Sequence, residues 1–213
     1  MGEVFTAIEG SKIVYNLINV IQSNKQYLSD IDGAIGDGDH GINMNKGFTL
    51  CGQELVKNPG DLSYSLKVLS KVLMQDIGGS MGPLYGVFFK AMSEVCKDKK
   101  TIDVKLFEEM LKAGEENVKE IGTAQAGDKT LLDALVPAVM AFSESAKNNK
   151  GFAGALEDMK QAAITGRDST RDMIARVGRA SRLGERSRGV IDAGAASCCL
   201  ILETMADTVK GML

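Results

Sequence analysis

The stretch L-S-Y-S-L-K-V-L-S-K-V-L-M-Q-D-I, residues 62–77, sets Leu62, Leu66, Leu69, Leu73 and Ile77 at spacings of three and four. Apolar residues at that period line one face of an α-helix. The same stripe recurs at Phe107, Met110, Leu111, Val118 and Ile121, at Phe152, Leu156, Met159 and Ala163, and at Cys198, Ile201, Met205 and Val209. No segment carries the sustained alternation of a half-buried strand, so the fold class reads as all-α. Breakers at Asn58-Pro59-Gly60, Gly78-Gly79, Asp98–Thr101, Ala126-Gly127-Asp128 and Asn148–Gly151 cut the chain into roughly eight helical segments. Their loops are short, which makes sequential helices antiparallel neighbours.

At 213 residues the chain is long enough to bury a core without disulfides or structural metals. Neither a low-complexity linker nor an internal repeat divides it, so residues 1–213 read as a single domain. A net charge of −3 excludes the cationic surplus of a dedicated nucleic-acid binder. Cys51, Cys96, Cys198 and Cys199 form no C-x-x-C pair and read as small core residues in a reducing cytosol. Residues Met1–Val14 carry Glu3 and Glu9 and lack a basic start followed by an apolar run, the pattern of a signal peptide or a membrane span. A soluble, cytoplasmic protein is the expectation.

The segment Ser29–Gly47, S-D-I-D-G-A-I-G-D-G-D-H-G-I-N-M-N-K-G, holds four aspartates and five glycines. Glycines let the backbone approach a ligand closely, and clustered carboxylates repel one another unless a cation sits among them. Asp37 and Asp39 can converge on one ion around a turn, with Asp32 as a third oxygen ligand. Magnesium takes one or two protein carboxylates and completes its octahedron with water and substrate phosphates, so three carboxylates suit a metal-phosphate site and could serve two ions. Gly36, Gly38 and Gly41 match G-x-G-x-x-G, but Asp37 and Asp39 would repel an unaccompanied pyrophosphate and no strand precedes them. A calcium loop starting at Asp37 would need ligands where Gly41 and Phe48 stand, and Ile42 and Asn43 stand where a P-loop needs Lys and Ser or Thr. The competing structural reading is a solvated acidic turn with Asp30 or Asp32 capping a helix. His40, the one histidine, reads equally as a ligand contact or as a loop residue bonded to the backbone.

At G-G-S-M-G-P-L-Y-G, residues 78–86, one helix ends on paired glycines and another starts near Pro83. Its free N–H groups could bind phosphate, or the small residues could serve a tight helix hairpin; the letters favour neither. All seven arginines fall between Arg167 and Arg188. Arginine's fork of donors matches phosphate or carboxylate, so one or two read as ligand contacts and the others as a docking surface or as partners of Asp168, Asp172 and Glu185.

These segments resemble the ADP-binding L subunit of bacterial dihydroxyacetone kinases, which also occurs as the C-terminal domain of single-chain ATP-dependent forms. The markers are I-D-G-A-I-G-D-G-D-H-G-I-N-M from Ile31, G-G-S-M-G-P-L-Y-G from Gly78, G-D-K-T-L-L-D-A-L-V-P-A from Gly127 and G-R-A-S-R-L-G-E-R-S from Gly178, and the match covers nearly the whole chain. The resemblance implies a closed barrel of about eight antiparallel helices, with the nucleotide at one end and its phosphates held through two Mg2+ ions. It implies Asp32, Asp37 and Asp39 as metal ligands and His40, Gly41, Ile42 and Asn43 beside the nucleotide. Ser80, Met81, Gly122, Leu131, Arg179, Asp192, Ala193 and Gly194 align with the remaining contacts. Two departures stand out. The family commonly has Ala-Ser where this chain has Ser80-Met81, and D-P-G where it has Asp192-Ala193-Gly194.

By the same resemblance, ADP is a bound coenzyme, and the L subunit passes a phosphoryl group to dihydroxyacetone on a partner subunit. Arg179 is the candidate for adding positive charge beside the three aspartates. A chain of this length without a fused substrate-binding domain resembles the version fed by a phosphohistidine protein of the phosphoenolpyruvate phosphotransferase system. No nucleic acid or membrane partner is expected. The alternatives are an ADP-Mg-sensing regulatory subunit and an ATP-dependent kinase subunit acting on another small hydroxylated compound.

Overall fold

The computed structural model describes residues 3–213. Met1 and Gly2, which open the N-terminal stretch read above, lie outside the described residues. Strand β1 (Val4–Thr6) leads into α1 (Ala7–Ser23), α2 (Lys25–Ile35), α3 (His40–Lys57), α4 (Leu62–Asp76) and α5 (Met81–Val95). Strand β2 (Thr101–Asp103) precedes α6 (Val104–Ile121), α7 (Leu132–Lys147) and α8 (Gly151–Ser169). Two 3-10 turns, Thr170–Asp172 and Ala180–Ser187, lead to α9 (Ala193–Lys210).

The helical reading holds with two corrections. Nine α-helices stand among the described residues where roughly eight were expected, because α1 and α2 part at Asn24. Asn24 sends both its backbone N–H (3.0 Å) and its side-chain Nδ2 (2.9 Å) to the Val20 carbonyl, ending one helix without a glycine or proline. The chain is also not purely helical. β1 and β2 pair antiparallel with Phe5 opposite Ile102, and at three residues each they are too short to show an alternation in the sequence. Phe5 is buried against the rings of Phe107 and Phe152, so the ladder ties the N-terminus to the aromatic part of the core.

The predicted stripes are buried and belong to one apolar cluster, except Ile121, which is 50% exposed at the end of α6. All four cysteines are buried and free. The helix starts follow local chemistry: Thr6 and Glu9 form a capping box on α1, and Asp61, Asp103 and Asp192 each accept an N–H of the first turn of α4, α6 and α9. α4 packs on α5, α5 on α6, α6 on α7, α7 on α8 and α8 on α9; α1 packs on α9, α3 and α4, and α2 on α3. Among the described residues no helix is long and apolar enough to cross a membrane.

The α7–α8 contact is closest at Gly166, where an added Cβ would run into the Asp133 carbonyl. At Gly52, inside α3, a Cβ would meet only Ile18 at an ordinary 3.5 Å. Gly166→Ala is therefore expected to lower unfolding free energy by about 2 kcal/mol or more through helix displacement. Gly52→Ala should raise it by about 0.5–1 kcal/mol through helix propensity. Urea denaturation of both variants checks the pair of signs.

Candidate functional site

The acidic segment forms the end of α2, a four-residue turn and the start of α3. Gly38 takes φ +76°, which lets the chain reverse within that turn. Gly41 is required for a different reason: a Cβ there would strike the Lys25 carbonyl and Ser29, so α3 could not lie this close to α2. The result brings one carboxylate oxygen each of Asp32, Asp37 and Asp39 within 4.8 Å of one another. Asp32 comes from the last turn of α2, Asp37 from the loop, and Asp39 from the N-cap position of α3, where its side chain makes no capping bond. Asp32 also accepts the His40 backbone N–H at 3.3 Å, reaching the first residue of α3 from α2 and not from the N-cap position, which Asp39 occupies.

Hard oxygen donors on three elements, partly open to solvent, fit a divalent cation that keeps water or phosphate oxygens in its remaining positions. A fourth charge faces them. Arg179, at the N-cap of the second 3-10 turn, makes an ion pair with Asp37 through its guanidinium.

His40 turns the other way. Its side chain is 6% exposed and Nε2 lies 2.9 Å from Ser197 Oγ in the first turns of α9. Tyr85 of α5 shares that hydroxyl at 2.7 Å and donates to the Gly194 carbonyl at 3.1 Å. Burial holds the imidazole down at about pKa 4, against a smaller upward pull from Asp32, so it is neutral at physiological pH. The ring bonds a side chain and not the backbone, and it packs the start of α3 against α5 and α9. Ile42 next to it is 53% exposed, and Asn43 follows in the first turn of α3.

The remaining candidates cluster around the same helix starts. Ser80 is the N-cap of α5 and Met81 its first residue; the N-cap residues of α3 and α5 make no side-chain capping bond, whereas the first N–H of α7 is donated to Thr130 Oγ1 at 3.2 Å. Free N–H groups at such ends attract anions. The hairpin reading of residues 78–86 is also realised, because a Cβ at Gly82 would meet the Leu73 carbonyl of α4 at 2.6 Å. Gly122 lies beside Leu84 of α5, and Leu131, the N-cap of α7, abuts Gly194 of α9. Asp192 caps α9 through Ala195 N–H at 2.7 Å, and Ala193 begins that helix.

Sequence reasoning passed over Lys129 within G-D-K-T. It is 2% exposed, at φ +64°, with Nζ donating to the carbonyls of Thr170 (2.7 Å), Met173 (3.3 Å) and Val190 (2.5 Å). These bonds pin both ends of the arginine-bearing segment, and Gly189 N–H to Arg171 O (2.7 Å) closes its neck. A lysine letter carries no signal of that burial. Within the segment, Arg167 pairs with Asp168, Arg176 with Asp128 and Arg188 with Glu185, so much of the arginine run serves local ion pairs.

Fold and site together define a predominantly helical protein whose acidic, glycine-rich loop gathers three carboxylates between α2 and the start of α3. The chain belongs to the DAK2 domain family, which matches residues 34–207. It is similar to the PEP-dependent dihydroxyacetone kinase 1, ADP-binding subunit DhaL, of Listeria innocua, at 39% identity over 88% of this chain and 89% of that protein. It is also similar to the PEP-dependent dihydroxyacetone kinase, ADP-binding subunit DhaL, of Escherichia coli K12, at 35% identity over 90% of this chain and 92% of that one. Among solved structures, the dihydroxyacetone kinase of C. freundii in complex with AMP-PNP and Mg2+ shares the fold, with a TM-score of 0.69 at 23% identity. That match takes in 92% of this chain and 33% of the longer kinase chain.

The Asp192 carboxyl is pushed up to about 7, chiefly by burial, which outweighs the Ala195 N–H and the Lys129 charge. A folded-state pKa above the unfolded one means that the folded protein holds this proton longer, so stability falls as pH rises from about 4 towards 7 and levels off beyond. Asp192→Asn keeps a capping oxygen and removes the ionisation. Its stability relative to wild type should climb through that pH window, by roughly 4 kcal/mol at full shift, and stay flat above it. Thermal or urea unfolding of both proteins at stepped pH measures the difference.

Proposed function

We propose that this protein is the nucleotide-carrying, phosphoryl-transferring subunit of a phosphoenolpyruvate-dependent dihydroxyacetone (glycerone) kinase. The observation that carries the reading is the convergence of Asp32, Asp37 and Asp39 within 4.8 Å between the end of α2 and the start of α3. Similarity to ADP-binding subunits over about nine-tenths of the chain gives the nucleotide its name.

In this reading Asp32, Asp37 and Asp39 would hold two Mg2+ ions, which would supply the positive charge that offsets the nucleotide's phosphates. The N–H groups at the starts of α3 and α5, around His40, Gly41, Ile42, Asn43, Ser80 and Met81, receive the phosphates. Gly122, Leu131, Asp192, Ala193 and Gly194 line the rest of the nucleotide site. Arg179 supplies a guanidinium to the anionic group being transferred. With Met81 where relatives of the resembled family carry serine, backbone N–H groups take the larger share of phosphate binding. Positioning and charge neutralisation are what phosphoryl transfer chiefly requires of a protein, and these residues provide both.

ADP stays bound as a coenzyme. Held there, it would let a phosphoryl group pass from a phosphohistidine donor protein of the phosphotransferase system to the terminal hydroxyl of dihydroxyacetone on a substrate-binding partner subunit, giving dihydroxyacetone phosphate, while the residues of this chain hold and orient the nucleotide. Residues 1–213 act as one domain in the cytoplasm, in keeping with a single apolar cluster and four free, buried cysteines. The helices close into an antiparallel barrel with the nucleotide at one end; in support, the packing neighbours run in sequence from α4 to α9 and return through α1.

Two measurements test this. Asp37→Asn changes one ligand charge with almost no change in volume, and should weaken ADP-magnesium binding and transfer by at least about 10–100-fold while circular dichroism stays unchanged. Wild-type transfer by the folded variant contradicts the metal assignment. Reconstituted with its partner and donor proteins, the wild-type subunit should sustain turnover from phosphoenolpyruvate with only catalytic ADP present. A requirement for stoichiometric ATP, with free exchange of ADP in every cycle, contradicts the coenzyme role.

A further inference from the structure

The Arg179–Asp37 pair ties two parts of the chain that nothing in their own sequence joins. Residues 173–189 form a strap. Its base is fixed by Lys129 to the Thr170, Met173 and Val190 carbonyls, by Gly189 N–H on Arg171 O, and by Ala175 N–H on Ser187 Oγ at 2.9 Å. Its tip has far less to hold it. Gly178 (φ +71°) and Gly184 (φ +55°) flank it, with open space where their side chains would be, and it carries Arg179 onto the one aspartate of the cluster that comes from the loop. Arg182 and Arg186 at the tip are exposed, so the end of the strap is cationic, and it lies against a cluster of three carboxylates.

From this geometry we infer that Arg179 is the acidic loop's tethered counterion and makes the site selective for a cation–diphosphate complex over the cation alone. The inference rests on the metal reading given above and deepens it. Without ligand, the guanidinium relieves the repulsion among Asp32, Asp37 and Asp39. A lone divalent cation must take Asp37 from Arg179 and then share the pocket with the displaced positive charge. A cation that arrives with a nucleoside diphosphate brings anionic oxygens with it, and the guanidinium exchanges a carboxylate for a phosphate partner. Cation and nucleotide are thereby coupled: each tightens the other, by the same factor.

The test titrates Mn2+, which accepts the same oxygen donors as Mg2+ and whose free ion is counted by electron paramagnetic resonance, into wild type, Arg179→Gln and Arg179→Lys, with and without ADP. Arg179 is exposed, so neither variant threatens folding. Arg179→Gln should bind Mn2+ alone about two- to fivefold more tightly, the size of an exposed ion pair. In the presence of ADP it should bind Mn2+ at least about tenfold more weakly, the size of a lost charge-assisted contact. Arg179→Lys should restore the weak binding of Mn2+ alone and only part of the coupling. A purely structural role moves both affinities in one direction. Unchanged or weaker binding of Mn2+ alone by Arg179→Gln overturns the counterion role while leaving the metal site standing. If wild type takes up no Mn2+ with or without ADP, the metal reading fails and this inference fails with it.

Discussion

Three carboxylates held within 4.8 Å repel one another, and the structure around them is organised by what offsets that repulsion. The uncapped starts of α3 and α5 contribute positive dipole ends, the His40 N–H donates to Asp32, and Arg179 is carried in on a strap to face Asp37. None of these is a full neutralisation. The remaining negative charge is what the proposed function uses, since a divalent cation attracted there presents its other coordination positions to phosphate oxygens. A site so charged would be a poor phosphate binder by itself, and the same charge makes it a good receiver of phosphate with metal.

Holding that charge in place falls to groups outside the loop. The Tyr85–Ser197–His40 contacts knit the first turns of α5, α9 and α3 together in a buried environment, where a neutral imidazole costs less than a charged one. Lys129 performs the corresponding task for the strap, spending a buried ammonium on three carbonyls. Asp192 stands between these, capping α9 with a carboxyl that burial disfavours as an anion. Such polar contacts cost stability when any partner is missing, which fits a framework that fixes three helix starts and the strap relative to one another.

The sequence made the helices legible because burial here follows the helical period faithfully; Leu62, Leu66, Leu69 and Leu73 are all fully buried. Acidic residues and glycines crowded into Ser29–Gly47 likewise pointed to the cluster of Asp32, Asp37 and Asp39 that the fold brings together, since that combination has few structural uses. What escaped depends on distant parts of the chain. The break at Asn24 rests on one side chain choosing a backbone carbonyl, and the β1–β2 pairing joins residues 4–6 to 101–103 in strands too short for a pattern. Ile121 continues an apolar stripe in the letters but lies beyond the core at a helix end. Lys129 and the inward turn of His40 are tertiary facts: a lysine reads as solvated, and the letters around Asp39 leave the direction of the histidine ring open until the packing is seen.

The most direct test of the proposed metal-borne nucleotide is a crystal grown with ADP and Mn2+ in place of Mg2+, with anomalous difference density collected at the manganese edge. The proposed function predicts peaks at about 2.2 Å from oxygens of Asp32, Asp37 and Asp39, with ADP phosphate oxygens completing the coordination. Ordered ADP whose phosphates lie on the arginines or helix starts, with no anomalous peak among the three aspartates, contradicts it.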